Sequence, residues 1–351
     1  MNVSPLTIRR LKNFRANKRG FYSAFVFSLL FLVSIFAEFI ANDKPIFVVF
    51  NGHIHFPVFE KIPETYYGGE FETEADYKDP FVKDLINEKG FSVMPLIEYS
   101  YDTINYDLQV PSPSPPSFEN LLGTDDQGRD ILSGIMFGLR ISLGVGFASV
   151  IVSAIVGTLL GLLSGYLGGR LDSFIMRVAD VQLTFPAILI ALLIDGIVGS
   201  LLPKAAYNEL KLYVLVLAIA ASQWVNFART VRGSTLVEKN KEYVQAAKVI
   251  GVHPFWIMVR HVLPNVVSPV LVIATLSLAL AILTEATLSF LGVGVPPTSP
   301  SLGTLIRIGQ QYLYSGEWWM TIFPSSALVI LVLAVNLLGD WLRDALNPKL
   351  R

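Results

Sequence analysis

Apolar residues in this chain come in runs far longer than the core of a water-soluble domain needs, and polar stretches of uneven length separate them. The first run, FYSAFVFSLLFLVSIFAEFIA at 21–41, can cross a hydrocarbon layer of about 30 Å as a helix rising about 1.5 Å per residue. A cleavable signal peptide would have an apolar core of about 7 to 15 residues ending at a small-residue site. Neither holds here, so the pattern predicts an uncleaved helix. From Asp130 to Gly168 the apolar run exceeds one crossing, which places 130–140 at the outer interface and the crossing itself at 141–167. Further crossings are predicted near 178–200, 211–228, 266–292 and 322–341, six in all, with both termini on one side.

Residues 42–120 hold no apolar run of membrane length and read as a small folded insertion of mixed α/β type between the first two crossings. IFVVF and HIHFPVF flank Asn51-Gly52, a strong two-residue hairpin signal. In DPFVKDLINEKG, Asp79 is a candidate N-cap, Pro80 suits the first helical position and Gly90 stands past the end, so a short helix is predicted. PSPSPPS at 111–117 fits neither helix nor sheet interior and predicts a stiff tether back to the membrane. Beyond it, Gly134 and Gly138, then Gly157, Gly161 and Gly165, recur four apart on one helix face. In lipid, packing rather than hydrophobicity joins helices, and such a face predicts the close approach of a second helix.

Composition and charge sharpen this picture. The chain of 351 residues is 52% hydrophobic and 16% charged, against about 25% charged in ordinary soluble domains. It is predicted to be an all-α polytopic membrane protein with six transmembrane helices. Residues 1–20 carry 6 basic and no acidic side chains, whereas 42–130 carry 17 acidic and 6 basic. Arg9, Arg10, Lys12, Arg15, Lys18 and Arg19 predict a cytoplasmic N-terminus at 1–20, and the acidic insertion falls on the opposite side. Arg229, Arg232, Lys239, Lys241, Lys248 and Arg260, against Glu238 and Glu242, place 229–265 in the cytoplasm as well. The remaining core then runs over 121–351.

Several chemistries lack their parts. The absence of cysteine excludes a disulfide framework, a thiolate metal site and a thiol nucleophile. No G-x-x-x-x-G-K-[ST] phosphate loop occurs, so a P-loop ATPase is not encoded. His53, His55, His253 and His261 all fall in predicted aqueous segments, which leaves no parts for a membrane-embedded Ser-His hydrolase or an H-E-x-x-H zinc site. The chain is therefore predicted not to be an enzyme, with no catalytic residue, cofactor or metal of its own. Nothing in it points to nucleic acid, and membrane lipid is its implied surrounding. Glu38, Asp180, Asp195 and Glu285 fall inside predicted crossings, where a charge costs roughly 2.5 to 3.5 kcal/mol at the bilayer centre. The first three sit near predicted ends and are expected at an interface. Glu285 lies deeper and is the candidate for an internal polar contact or for lining a path.

One cytoplasmic stretch stands out, EYVQAAKVIGVHPFWIMVRHVLPN at 242–265. Glu242, Gln245 and Lys248 are spaced along one side of a helix, with Val244, Ala247 and Ile250 or Gly251 on another. Gly251 suits a left-handed helix end, Pro254 the first turn of a second helix, and Pro264 the end of that helix before the next crossing. Small Ala246 and Ala247 leave the first helix thin enough to enter a groove on another protein. Physics alone leaves docking and lying against the headgroups equally open.

This stretch resembles the E-A-A-x-x-x-G-(nine residues)-I-x-L-P loop of ABC importer permeases, matching at Ala246, Ala247, Gly251, Leu263 and Pro264. Gln245 replaces the usual Glu, and His261 stands at the Ile position. LGTDDQGRDILS at 122–133, GYLGGRLDSFIMRVADVQLTFP at 165–186, ARTVRG at 228–233, EATLSFLGVGVPP at 285–297 and NLLGDWLRDALNP at 336–348 look like the peptide, opine and nickel branch. Within it they look most like the C-type subunit of dipeptide and oligopeptide permeases. Residues 42–117 exceed the usual first outer loop and resemble the oligopeptide and Yej-like microcin type. Ser301-Leu302 stands where Ser-Trp is common, and Ser325 follows Pro324 where glycine is common.

The resemblance implies a type I ABC importer permease fold in a bacterial inner membrane. It also implies a heteromeric importer of peptides or peptide-like molecules, made with a homologous second permease, two ABC ATPase subunits and an extracytoplasmic substrate-binding protein. ATP and Mg would belong to the ATPases, which would pull on Glu242, Gln245, Ala246, Ala247, Gly251, Leu263 and Pro264. A self-sufficient secondary transporter or channel, or a membrane scaffold presenting 42–117, would also fit the apolar runs. Neither gives the loop a purpose.

Overall fold

A computed structural model of the chain describes residues 14–108, 110–296 and 298–346. Arg9, Arg10 and Lys12 of the basic N-terminus, Pro297, and Asn347 and Pro348 of the last matched segment lie outside the described residues. Two units emerge: Met1–Ser28, Ser142–Pro296 and Val329–Arg351 in one, Leu29–Ile141 and Pro297–Leu328 in the other.

Helix α1, Lys18–Ile35, opens where the Asn17 side chain accepts the Gly20 N–H at 3.1 Å. It starts before the predicted run and breaks at Phe36, after which α2, Ala37–Ile40, adds one turn. Strands β1, Phe47–Phe50, and β2, His53–His55, form the expected hairpin, with Asn51 and Gly52 at φ 50° and 80°. Those positive angles are what the mirror-image turn joining twisted strands demands. Helices α3, Glu64–Tyr67, and α4, Pro80–Lys89, follow, and Asp79 caps α4 by accepting the Phe81 N–H at 2.9 Å.

Gly90 does more than stop a helix. It opens β3, Gly90–Val93, which pairs antiparallel with β1 to give the order β2-β1-β3. Its backbone is extended, and a Cβ there would run into the Val49 carbonyl. The glycine serves close strand approach rather than a left-handed helix end. Val48, Phe50, Ile62, Tyr67, Ala75, Tyr77, Val82 and Ile86 form the core beneath this sheet. The Pro-rich 111–117 segment has no helix or strand, as expected, but it is pinned rather than strung out as a tether. Ser114 N–H donates to Thr124 Oγ1 at 2.8 Å, and Thr124 N–H returns to the Ser114 carbonyl at 2.9 Å.

The remaining chain is helical: α5, Ile131–Leu167; α6, Gly169–Leu183; α7, Ala187–Leu201; and α8, Lys204–Glu238. After them come α9, Glu242–Val249; α10, Pro254–Trp256; a π-helical turn, Ile257–Val262; α11, Leu263–Phe290; α12, Leu302–Tyr312; and α13, Trp319–Leu346. Helix α5 begins at Ile131 and runs unbroken through most of 130–140, the stretch expected at an interface. Asp130 caps it, accepting the Ser133 N–H at 2.7 Å. Gly168 and Gly169, at φ 68° and 60°, turn the chain between α5 and α6. The crossing expected at 178–200 falls on two helices bent by 96°, because Pro186 has no N–H for a helical ladder and holds extended backbone. Among the described residues five helices are long and apolar enough to cross a membrane, and six spans result if α6 and α7 count as one.

The glycine stripe on α5 faces α8. A Cβ on Gly157 would lie 2.5 Å from Phe227 Cβ and from the Trp224 carbonyl oxygen. On Gly161 it would strike the Ala228 carbonyl, and on Gly165 it would lie 2.7 Å from Thr235 Cβ. Bare backbone on α5 is thus what lets the two helices touch, as the four-residue spacing predicts. A Cβ on Gly138 would similarly lie 3.3 Å from the Ser301–Leu302 backbone.

Candidate functional site

Helix α9 is two turns long, too short to persist in water alone, so packing must hold it. Val244 and Ala247 supply that anchor, buried with Leu162, Val231, Ile257, Met258, Val262 and Val266. A fully buried Val or Ile contributes about 1.5 to 3 kcal/mol. The opposite face is open. Glu242, Gln245, Ala246 and Lys248 are exposed, and Val249 and Ile250 are 87% and 78% exposed despite being apolar. Ile250 and Gly251 therefore do not join the Val244 and Ala247 face, as the sequence spacing had allowed.

Gly251 is left-handed at φ +82°, and Pro254 opens α10 with His253 Nδ1 accepting the Phe255 N–H at 3.3 Å. Pro264, expected to end that helix, does not. The chain continues from α10 into α11 because Ile257–Val262 is wound as a π-turn, in which the Leu263 N–H reaches the Met258 carbonyl. This looser winding accommodates a proline that would clash with the carbonyl four residues back in an α-helix. Leu263 packs at the edge of the buried cluster, whereas Pro264 is exposed.

Polar contacts tie the loop to its surroundings. Gln245 Nε2 donates to the Lys239 carbonyl at 2.9 Å, a bond that a Glu at this position could not make. Lys239 Nζ donates to the Gly165 carbonyl at 2.7 Å, and Lys248 lies over the Tyr166 ring. Tyr243 donates its hydroxyl proton to Glu238 and accepts from Asn265 Nδ2 at 2.9 Å. Burial and the Glu238 carboxylate push the Tyr243 phenol up to about 12, so it keeps its proton.

Glu285 is fully buried and receives hydrogen bonds from Ser142 at 2.6 Å and Ser289 at 2.7 Å. Ser289 in turn accepts the Val295 N–H at 3.2 Å, so the carboxyl group organises the turn after α11. Glu285 thus sits in a polar contact inside the protein. Glu38, Asp180 and Asp195 each have a partner as well. Glu38 pairs with Arg140 at 2.7 Å, and Arg140 also donates to the Ser34 and Ile35 carbonyls that end α1. Asp180 pairs with Arg229, and Asp195, buried within the protein, accepts from Tyr207 at 2.7 Å.

Sequence reasoning named none of these partners, nor the strip that joins α6 to α8. There Arg232 binds Asp172 at 2.5 and 2.7 Å, Ser164 also reaches Asp172, and Trp224 Nε1 donates to Gln182 at 2.7 Å. The signal lay in the matched segments at 165–186 and 228–233, whose polar residues face one another. In 122–133, Asp125 binds Arg129 at 2.7 Å and Asp130 holds Asn120 at 2.9 Å, so that segment shapes the entry to α5.

Residues 157–351 match the family described as binding-protein-dependent transport system inner membrane component. The chain is 36% identical over 370 residues to the peptidoglycan transport system permease protein YejE of Agrobacterium fabrum, covering 99% of this chain and 94% of that protein. It is 43% identical over 235 residues to the dipeptide transport system permease protein DppC of Escherichia coli, covering 67% and 75%. A solved inward-facing structure of the MetNI methionine ABC transporter shares the fold, with a TM-score of 0.50 and 20% identity over 62% of this chain and 98% of that one.

Proposed function

Because this chain belongs to the family of binding-protein-dependent transport system inner membrane components, as a permease subunit of an ABC importer, we propose that peptides or peptide-like molecules are its cargo and that 242–264 is its contact with an ATPase. The functions named for the two relatives, dipeptide and peptidoglycan transport, support the peptide class. In this reading a second permease completes the path, two ABC ATPases supply all the ATP and Mg chemistry, and an extracytoplasmic binding protein delivers cargo. Both termini and the loop lie in the cytoplasm, and the acidic insertion lies outside.

The observation that carries the reading is α9 itself, buried on one face through Val244 and Ala247 while its other face presents Ala246, Val249 and Ile250. Exposed apolar residues on a short, well-anchored helix suit insertion into a protein groove. Closure of the ATPases would move that helix and tilt the attached spans between outward-open and inward-open states, a rigid-body gating scheme. The chain has no cysteine, so Ala246→Cys creates a unique thiol. In the copurified complex this thiol should cross-link to the ATPase and lose reactivity toward soluble maleimide. Free labelling in the intact complex, or a complex without ATPase, would overturn the assignment.

A further inference from the structure

Tyr243 sits in the first turn of α9, between the last residue of α8, Glu238, and the first turn of α11, where Asn265 lies. Its hydroxyl has one proton to give, and the Glu238 carboxylate takes it ahead of the His261 carbonyl, which stands 3.4 Å away. Asn265 Nδ2 donates to Tyr243 at 2.9 Å and to the His261 carbonyl at 2.8 Å, and Tyr243 donates to Glu238. Lys241 Nζ stands 3.0 Å from the other Glu238 oxygen, which completes the pairing of a buried carboxylate. Among the described residues, no other side chain of α9 reaches α11 through a hydrogen bond. The rest of the α9 anchor, Val244 and Ala247, is apolar and so non-directional.

An apolar patch resists separation but permits sliding, whereas a directed hydrogen-bond chain fixes register. We infer that Tyr243 is a positioning residue that locks the coupling helix to α8 and α11 together, so that displacement of α9 moves both spans as one body. The inference rests on the reading of 242–264 as the ATPase contact. Without the hydroxyl, α9 would shift against the spans and part of each nucleotide-driven stroke would be lost.

The test uses the full transporter in proteoliposomes, with spin labels at Lys248→Cys on α9 and Ser268→Cys on α11. Vanadate-trapped nucleotide should leave the distance between the labels unchanged with Tyr243 in place and should change it in Tyr243→Phe. Uptake of peptides from a tryptic casein digest, read by mass spectrometry per ATP hydrolysed, should fall about tenfold in Tyr243→Phe, the effect of one charge-assisted hydrogen bond. Asn265→Leu cuts the same chain, so the double variant should be no worse than either single one.

ATPase copurification should stay at the wild-type value, and the melting temperature should fall by no more than a few degrees, the cost of one hydrogen bond. A label distance that responds to nucleotide alike in Tyr243→Phe and in the wild type, or a drop in uptake matched by loss of assembled complex, would overturn the lock. Absence of a bound ATPase in the wild type would instead overturn the functional reading, and the lock with it.

Discussion

At Gly251 the chain turns through φ +82° with open space where a side chain would go, so only backbone strain opposes substitution. A left-handed non-glycine residue costs about 1 to 2 kcal/mol, and a β-branched one is worst placed to bear it. Gly251→Val should therefore leave membrane insertion intact while lowering transport and substrate-stimulated ATP hydrolysis, which an assay of both in proteoliposomes reads. Glu285 poses the opposite case, a buried polar group whose partners include hydroxyls on α5 and α11. Glu285→Leu strands the Ser142 and Ser289 hydroxyls and should cost about 2 kcal/mol, whereas Glu285→Gln keeps an acceptor and a donor and should cost less than about 1 kcal/mol. Detergent melting curves of the two variants check the order. Gln245 shows how little of a side chain's role is visible in a motif: the pattern marks a missing charge, and the fold shows an amide donating to the Lys239 carbonyl.

Among the elements, α5 and α8 form an exacting contact, since three glycines of one lie on the backbone of the other. Gly161→Leu should force the pair apart and cost about 3 kcal/mol, lowering the melting temperature of the purified protein. That seam was legible because a four-residue repeat of one small residue survives as a pattern in the sequence, and so was the hairpin, from Asn51-Gly52. The β3 strand was not, because Gly90 and its neighbours have no periodicity of their own and pair only with a strand some forty residues earlier. Two prolines misled in opposite directions. Pro264 suggests a break, yet a π-turn carries the helix past it; Pro186 lies in an apolar run that suggests one straight span, yet the backbone bends there by 96°. Proline fixes its own φ, but the neighbouring turns decide whether a helix survives it. Ion pairs such as Glu38 with Arg140 were out of reach because their members stand about a hundred residues apart.

On the scale of the whole molecule, the insertion leaves and rejoins the chain at adjacent points. The Asn42 N–H donates to the Ile97 carbonyl at 3.0 Å, and the Ile97 N–H donates to the Ile40 carbonyl at 2.9 Å. Residues 43–96 can thus be excised across the parallel Ala41–Ile97 bridge with a linker of about a dozen residues, at the loss of the Asp43–Thr103 contact, a better excision than the full 42–117 segment, which also breaks the Ser114–Thr124 bonds. The shortened permease should still copurify with its partners, while uptake in cells should fall through weaker capture of the binding protein. Undiminished uptake would show that the insertion serves another end. The charge difference between the N-terminal segment and the insertion was plain from composition, and it gives the insertion its net negative charge. Which chain segments meet to form its sheet was not, because that depends on backbone pairing rather than residue type.

The glycine seam also sets rules for genetic suppression. A methyl on Gly161 collides with the Ala228 carbonyl, an atom that every amino acid carries, so no exchange of the side chain at 228 can restore the fit. The three atoms nearest a methyl on Gly146 belong instead to the side chains of Ile282 and Leu278, the closest at 2.9 Å. Selection for revertants of Gly146→Ala should accordingly yield smaller residues at 282, whereas revertants of Gly161→Ala should be true reversions to glycine.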